Sequence, residues 1–201
     1  MKKQSKYLII DTATPYLYVA IYEGKKPLEI VYQQGKNNHS VTLMPTIEKL
    51  FDRVKMSLED IDDIVVGIGP GSYTGVRIGV VVAKMFAWSL DKPLLTISSL
   101  ALLASASKGP RILAYQDARR GNAFLGLYAY HQQTLKRLID DQHTAYDAFV
   151  SQHDIDDEIS EGQPDFALIL TSDLLHREPS VHHVSPIYLR KTEAERNLQN
   201  G

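Results

Sequence analysis

The stretch Val65–Trp88, VVGIGPGSYTGVRIGVVVAKMFAW, is the first place where this chain could hold a ligand. An apolar strand turns on Gly67, Gly69, Pro70 and Gly71 and runs into a helix that Ser72 is placed to cap. Bare amides at such a helix start favour an anion. The two stricter phosphate motifs are missing. Gly69 is followed five residues on by Thr74, with no lysine where a P-loop needs one, and Pro70-Gly71-Ser72 after Gly69 breaks the dinucleotide fingerprint. A weak anion site and a tight turn without a ligand both fit this segment.

Other reactive side chains are scattered. No Ser/His/Asp set can be placed from spacing, and Ser72 has Thr74 rather than glycine two residues on, so it is no nucleophile elbow. His39 has Leu43 four residues on instead of a second ligand, which favours a helix-start or interface role over metal binding. His182-His183 reads as solvated, and Asp60, Asp62 and Asp63 as surface before a strand. Arg119 and Arg120, in Asp117–Gly121 (DARRG), could meet an RNA phosphate, a partner carboxylate or only water. The net charge of −2 argues against a chain that grips nucleic acid alone. The absence of cysteine excludes disulfides and thiolate metal sites.

The elements that must position these residues follow from periodicity. Lys6–Asp11 is a short apolar strand; Leu17–Glu23 and Pro27–Gln33 alternate around a Gly24-Lys25 turn. His39–Val54 has apolar residues at Val41, Met44, Ile47, Phe51 and Val54, a helical spacing in which Pro45 fits best near the first turn. A buried strand ends at Gly67–Gly69, a helix covers Tyr73–Leu90, and Pro93–Ser98 is a further strand. The order β-β-β-α-β-α-β implies parallel pairing after an antiparallel meander. Beyond it, Arg111–Tyr130 reads as a hairpin, Thr144–Gln152 as a short helix and Asp154–Asp165 as an acidic linker. Asp165–Thr171 reads as a strand and Ser172–Arg177 as a helix; Ser185–Lys191 closes the ordered part before a frayed tail from Thr192. No internal repeat is provable from the sequence. No apolar run reaches the roughly 20 residues of a membrane span, and Lys6–Asp11 is too short for a signal peptide core, so a cytoplasmic protein is expected.

The helix after the glycine turn is unusual. Gly75, Gly79, Ala83 and Ala87 recur every four residues and share one stripe, although each internal glycine costs about 1 kcal/mol against alanine. Val76, Ile78, Val80, Val81, Val82, Met85, Phe86, Trp88 and Leu90 make the other faces apolar too. A helix apolar nearly all round must be covered nearly all round, by its own sheet and by helix His39–Val54, a second chain, or both.

Five ordered blocks resemble one family. Ile10–Thr14 (IDTAT), His39–Pro45 (HSVTLMP), Gly67–Trp88 around PGSYTGVRIG, Asp117–Gly121 (DARRG) and Pro186–Lys191 (PIYLRK) are similar to the bacterial TsaB (YeaZ) family of tRNA threonylcarbamoyladenosine biosynthesis proteins. The resemblance implies an α/β, actin-like ATPase (ASKHA) fold of two RNase H-like lobes. The lobes would be 1–106, carrying the partner-binding helices, and a shortened 107–201 with the tail. It implies a non-catalytic subunit serving t6A at position 37 of tRNAs that read codons beginning with A. That subunit would bind the paralogue TsaD directly, TsaE through the complex, itself as a homodimer, and tRNA only indirectly. The expected interface is His39, Met44, Ile47, Phe51, Gly75, Val76, Gly79, Val80, Ala83 and Ala87. No cofactor of its own is implied. A nucleotide or anion shared with the partner would use Asp11, Thr12, Gly69, Gly71 and Ser72. The two metal-binding histidines of the paralogue would fall on Ser99 and Leu103, and Ala13 replaces a phosphate-approach glycine, so neither metal nor catalytic residues are expected. The alternative is an actin-like ATPase or metalloprotease-like enzyme acting alone.

Overall fold

A computed structural model describes residues 4–35 and 38–189. The alternating segments form β1 (Lys6–Asp11), β2 (Tyr16–Glu23) and β3 (Lys26–Gln34), paired antiparallel with Ile9 opposite Ala20 and Val19 opposite Val31. After α1 (His39–Val54), β4 (Asp63–Gly67) joins β1 in parallel; after α2 (Tyr73–Ser89), β5 (Leu94–Ile97) joins β4 in parallel. Pro45 lies inside α1, past its first turn, on an exposed face. The period of two in β1 sends Leu8 and Ile10 to the core under α1 and α2, and Ile9 to the opposite core.

That second core holds a helix the periodicity did not reveal, α3 (Ser99–Ala104), every residue of which is buried. A helix buried on all sides has no polar stripe to give it away. Across α3 lies a second sheet. β6 (Ile112–Asp117) and β7 (Asn122–His131) form the expected hairpin, and β8 (Thr134–Ala145) extends it. α4 (Tyr146–Gln152) covers its outer face through Phe149. The layers run helices, sheet, α3, sheet, helix.

Three expectations in the second half are corrected. The acidic linker contains β9 (Asp157–Ile159), parallel to β6. Asp165–Thr171 is not a strand but carries α5 (Phe166–Ile169), capped by the Asp165 side chain on the Ala167 amide at 3.1 Å. A short apolar run alone cannot separate helix from strand. Ser172–Arg177 forms no helix; its end is β10 (His176–Arg177), antiparallel to β5 on the first sheet. The first sheet therefore takes strands from both sides of residue 106. Residues 176–189 return to the first lobe, where Ile187 N donates to Ile68 O at 2.8 Å and Lys84 Nζ to Val184 O at 2.8 Å. The expected frayed tail lies outside the described residues.

The two sheets have the same wiring. β3-β2-β1-β4 and β8-β7-β6-β9 are each three antiparallel strands, a helix, and a strand returning in parallel beside the first. The repeat that sequence could not prove is present as topology.

Candidate functional site

Between the lobes lies a cleft of about 980 Å³. One wall is the β1–β2 turn (Ala13, Thr14, Pro15) with His39 and the first turn of α2 from Gly71 to Gly75. The second is Gln116–Arg120 with Phe124, and the third is Ile187, Tyr188 and Leu189 of the returning C-terminal segment.

The α2 entry explains its glycines. Ser72 caps the helix, its Oγ accepting the Gly75 amide at 3.2 Å, and its own amide donates to Ala13 O at 2.7 Å. Thr12 inserts its hydroxyl into the helix, donating to Gly75 O at 2.6 Å and accepting from Gly79 N at 3.0 Å. A Cβ on Gly75 would strike Thr12 O, and one on Gly79 would sit 2.6 Å from Thr12 Oγ1. The small-residue stripe is therefore filled by the chain's own β1–β2 turn and sheet. Gly75, Val76, Gly79, Val80, Ala83 and Ala87, with His39, Ile47 and Phe51 of α1, are all buried inside this chain and not on a free interface. Of the expected interface set only Met44 is exposed.

The outward stripe is different. Tyr73, Val81, Met85 and Trp88 share one face of α2, with Val81 64% and Trp88 68% exposed, and Val41 and Met44 are exposed on neighbouring α1. Side chains at such spacing line one helix face. The sequence marks Val81, Met85 and Trp88 as apolar residues in need of cover, but the expected interface sits on the glycine stripe. Their signal was the surplus of apolar residues opposite it.

The expected shared anion site divides. Asp11 and Thr12 are buried and fully engaged: Asp11 Oδ1 accepts the Ala13 amide at 2.6 Å, and Ser99 also bonds its carboxylate. Burial lifts the Asp11 carboxyl to about 6, against the lowering effect of those two hydrogen bonds. The space beside it is only about 10 Å³, enough for no more than a water. Gly69, at φ 91°, packs against Ile187 O and is not on the cleft wall, whereas Gly71 and Ser72 are.

Arg119 and Arg120 face the same cleft from the β6–β7 turn. Both hold left-handed backbone, φ 69° and 55°, a conformation that costs a non-glycine residue roughly 1–2 kcal/mol. Asp117 Oδ1 fixes the turn by accepting the Arg119 amide at 2.7 Å, and neither guanidinium is in an ion pair among the described residues. At the cleft mouth, Arg77 lies 3.9 Å over the Tyr73 ring and donates from Nε to Tyr188 OH at 2.7 Å. His39 gives its Nε2 edge to Thr14 O at 3.2 Å. The cleft is thus lined by two guanidiniums, the hydroxyls of Thr14, Ser72 and Thr74, and aromatic side chains, a lining that suits an anion. His182 and His183 are exposed. Among the described residues no three His, Asp or Glu side chains gather as a metal site.

A family model described as TsaD: tRNA N6-adenosine threonylcarbamoyltransferase matches residues 29–175. A Bacillus subtilis relative named tRNA threonylcarbamoyladenosine biosynthesis protein TsaB is 42% identical over 137 residues. The chain belongs to the TsaB/YeaZ family. The Bacillus match covers 67% of this chain and 60% of the relative. The Escherichia coli protein of the same name is 31% identical over 127 residues, 61% of this chain and 54% of that one. The chain spans about half to three fifths of the length of the first curated relatives it matches. YeaZ from Pseudomonas aeruginosa superposes with a TM-score of 0.78 at 24% identity, over 92% of this chain and all of that one. The fold is thus the actin-like one expected, with TsaB/YeaZ wiring. No helix among the described residues is long and apolar enough to cross a membrane.

Proposed function

We propose that this chain is a non-catalytic subunit of the cytoplasmic machinery that makes t6A at position 37 of tRNAs reading ANN codons. It docks on TsaD through the outward face of α1 and α2, joins TsaE only within that complex, and pairs with a second copy through the same face when TsaD is absent. The exposed stripe Val81, Met85 and Trp88 on α2, with Val41 and Met44 exposed on neighbouring α1, carries this reading, because large apolar side chains gathered on two adjacent helices suit an interaction surface. The family names support the pathway. Non-catalysis is supported by the engagement of Asp11 within the core, and by Ser99 and Leu103, the places of the paralogue's metal ligands, both buried in α3. A nucleotide or anion at the junction with TsaD would meet Gly71, Ser72, Arg119 and Arg120 rather than Asp11 or Thr12.

The test is Val81→Glu and Trp88→Glu, exposed changes that leave the core alone. Substituting Gly79 or Ala83 would strike the chain's own core and confound the result. Each exposed change is expected to weaken TsaD capture by at least about 30-fold, the loss of one interface hot spot, and to abolish t6A in cells that depend on this chain. Unaltered capture by both variants refutes the docking face. ATP or peptide hydrolysis by the purified chain alone, lost in Asp11→Asn, would favour the enzyme reading instead.

A further inference from the structure

Ser98 and Ser99 are consecutive and serve opposite lobes. Ser99 Oγ accepts the Gly69 amide at 3.0 Å and bonds Asp11, both in the first lobe. Ser98 Oγ caps α3, accepting from Leu100 N at 3.1 Å and Ala101 N at 3.2 Å, and donates its own proton to Asp141 on β8. The other carboxylate oxygen of Asp141 accepts from Tyr128 on β7. One half-buried carboxylate therefore takes a hydroxyl from each lobe.

The backbone is shaped for it. Leu125 pairs with Gln142 but Leu127 with Ile139, so β8 carries an extra residue opposite Gly126. Such a bulge re-aims a side chain. The Asp141 carboxylate then fills the space where a Cβ on residue 126 would stand. Burial raises the Asp141 pKa, while Ser98, Tyr128 and Arg137 favour the charged form. Around it the layer between the sheets is apolar, with Ile97, Leu100, Ala101, Ile112 and Ala114 in one cluster. Apolar contact is non-directional and permits sliding, whereas hydrogen bonds to a carboxylate fix direction. Other bonds cross between the halves: Tyr16 bonds Glu161 at the exposed rim, Tyr32 accepts the half-buried Gly162 amide at 2.8 Å, and Tyr18 OH donates to Pro164 O at 3.5 Å; none of them joins a carboxylate to two hydroxyls from opposite halves.

We propose that Ser98, Asp141 and Tyr128 form a clasp that fixes the angle between the two sheets and so the width of the cleft. This stands apart from which partner the chain binds. The cysteine-free chain accepts a labelled pair directly, Thr74→Cys and Arg120→Cys on facing cleft walls, read by pulsed electron spin resonance. The parent is expected to give one narrow distance. Ser98→Ala, Tyr128→Phe and Asp141→Asn each broaden that distribution about twofold, as a released hinge does. Ser98→Thr, which keeps the hydroxyl, restores the narrow distance, and Tyr146→Phe, whose bond to Glu158 stays within the second lobe, leaves it narrow. If Asp141→Asn does not fold, the two milder variants decide. A parent-like width in the folded fraction of both Ser98→Ala and Tyr128→Phe overturns the clasp, even where stability falls.

Discussion

Replacing Asp11 by asparagine should change how stability depends on pH, by an amount the site itself dictates. The folded carboxyl sits at about 6 instead of the usual 3.8, chiefly because burial penalises its charge. Each pH unit of such a difference corresponds to about 1.4 kcal/mol, so the charged form costs the fold about 3 kcal/mol at neutral pH. The folded state holds this proton more tightly than the unfolded one. Stability from this group is therefore fully present below pH 4, falls as pH rises from about 4 to 6, and stays low above that. The asparagine of the variant carries no such penalty, and its amide oxygen can still accept the Ala13 N–H. The stability of Asp11→Asn relative to the parent should thus rise by about 3 kcal/mol between pH 4 and pH 7. In a chain of this length that is a gap in melting temperature widening by roughly 6–12 °C. Thermal unfolding followed by circular dichroism, in matched buffers from pH 4 to 8, reads it. Parallel curves for parent and variant would refute the assignment of a buried, proton-holding Asp11. Asp63 and Asp141, whose carboxyls are also raised mainly by burial, titrate in both proteins and cancel in the difference.

Two further outcomes follow from the α2 entry. Ser72→Ala removes the acceptor of the Gly75 amide and should lower stability by about 1 kcal/mol, measured by urea unfolding with an unchanged slope. Gly79→Ala sets two effects against each other. Alanine gains about 1 kcal/mol of helix propensity, but its Cβ would lie 2.6 Å from Thr12 Oγ1 on a fixed turn, and overpacking of that kind costs about 1–3 kcal/mol. Net destabilisation is expected, and Thr12→Ser, which keeps the hydroxyl and removes a methyl, should not rescue it in a double variant.

Much of the first lobe was legible because its signals are local. α1 begins and ends at the residues its periodicity marks, Ser72 is the cap its position before the helix suggests, and the meander pairs as its alternation requires. The second half was less legible because its elements exist by virtue of distant partners. Asp157–Ile159 is a strand only because β6 offers an open edge, and His176–Arg177 only because β5 does. The acidic composition of the one and the helical look of the other say nothing about those edges.

The glycine turn draws the same line. The sequence by itself determined that Gly67–Gly71 leads a strand into a capped helix, that the helix is apolar beyond what one face requires, and that the ordered blocks are those of the TsaB/YeaZ family. Those are properties of residue type and spacing along the chain. Only the tertiary structure decided which face of α2 is spent internally. Thr12, 63 residues before Gly75 in the first bond and 67 before Gly79 in the second, threads its hydroxyl into the glycine stripe, leaving Val81, Met85 and Trp88 outside. Glycine spacing predicts that something approaches closely; what approaches depends on a chain crossing that no local pattern encodes.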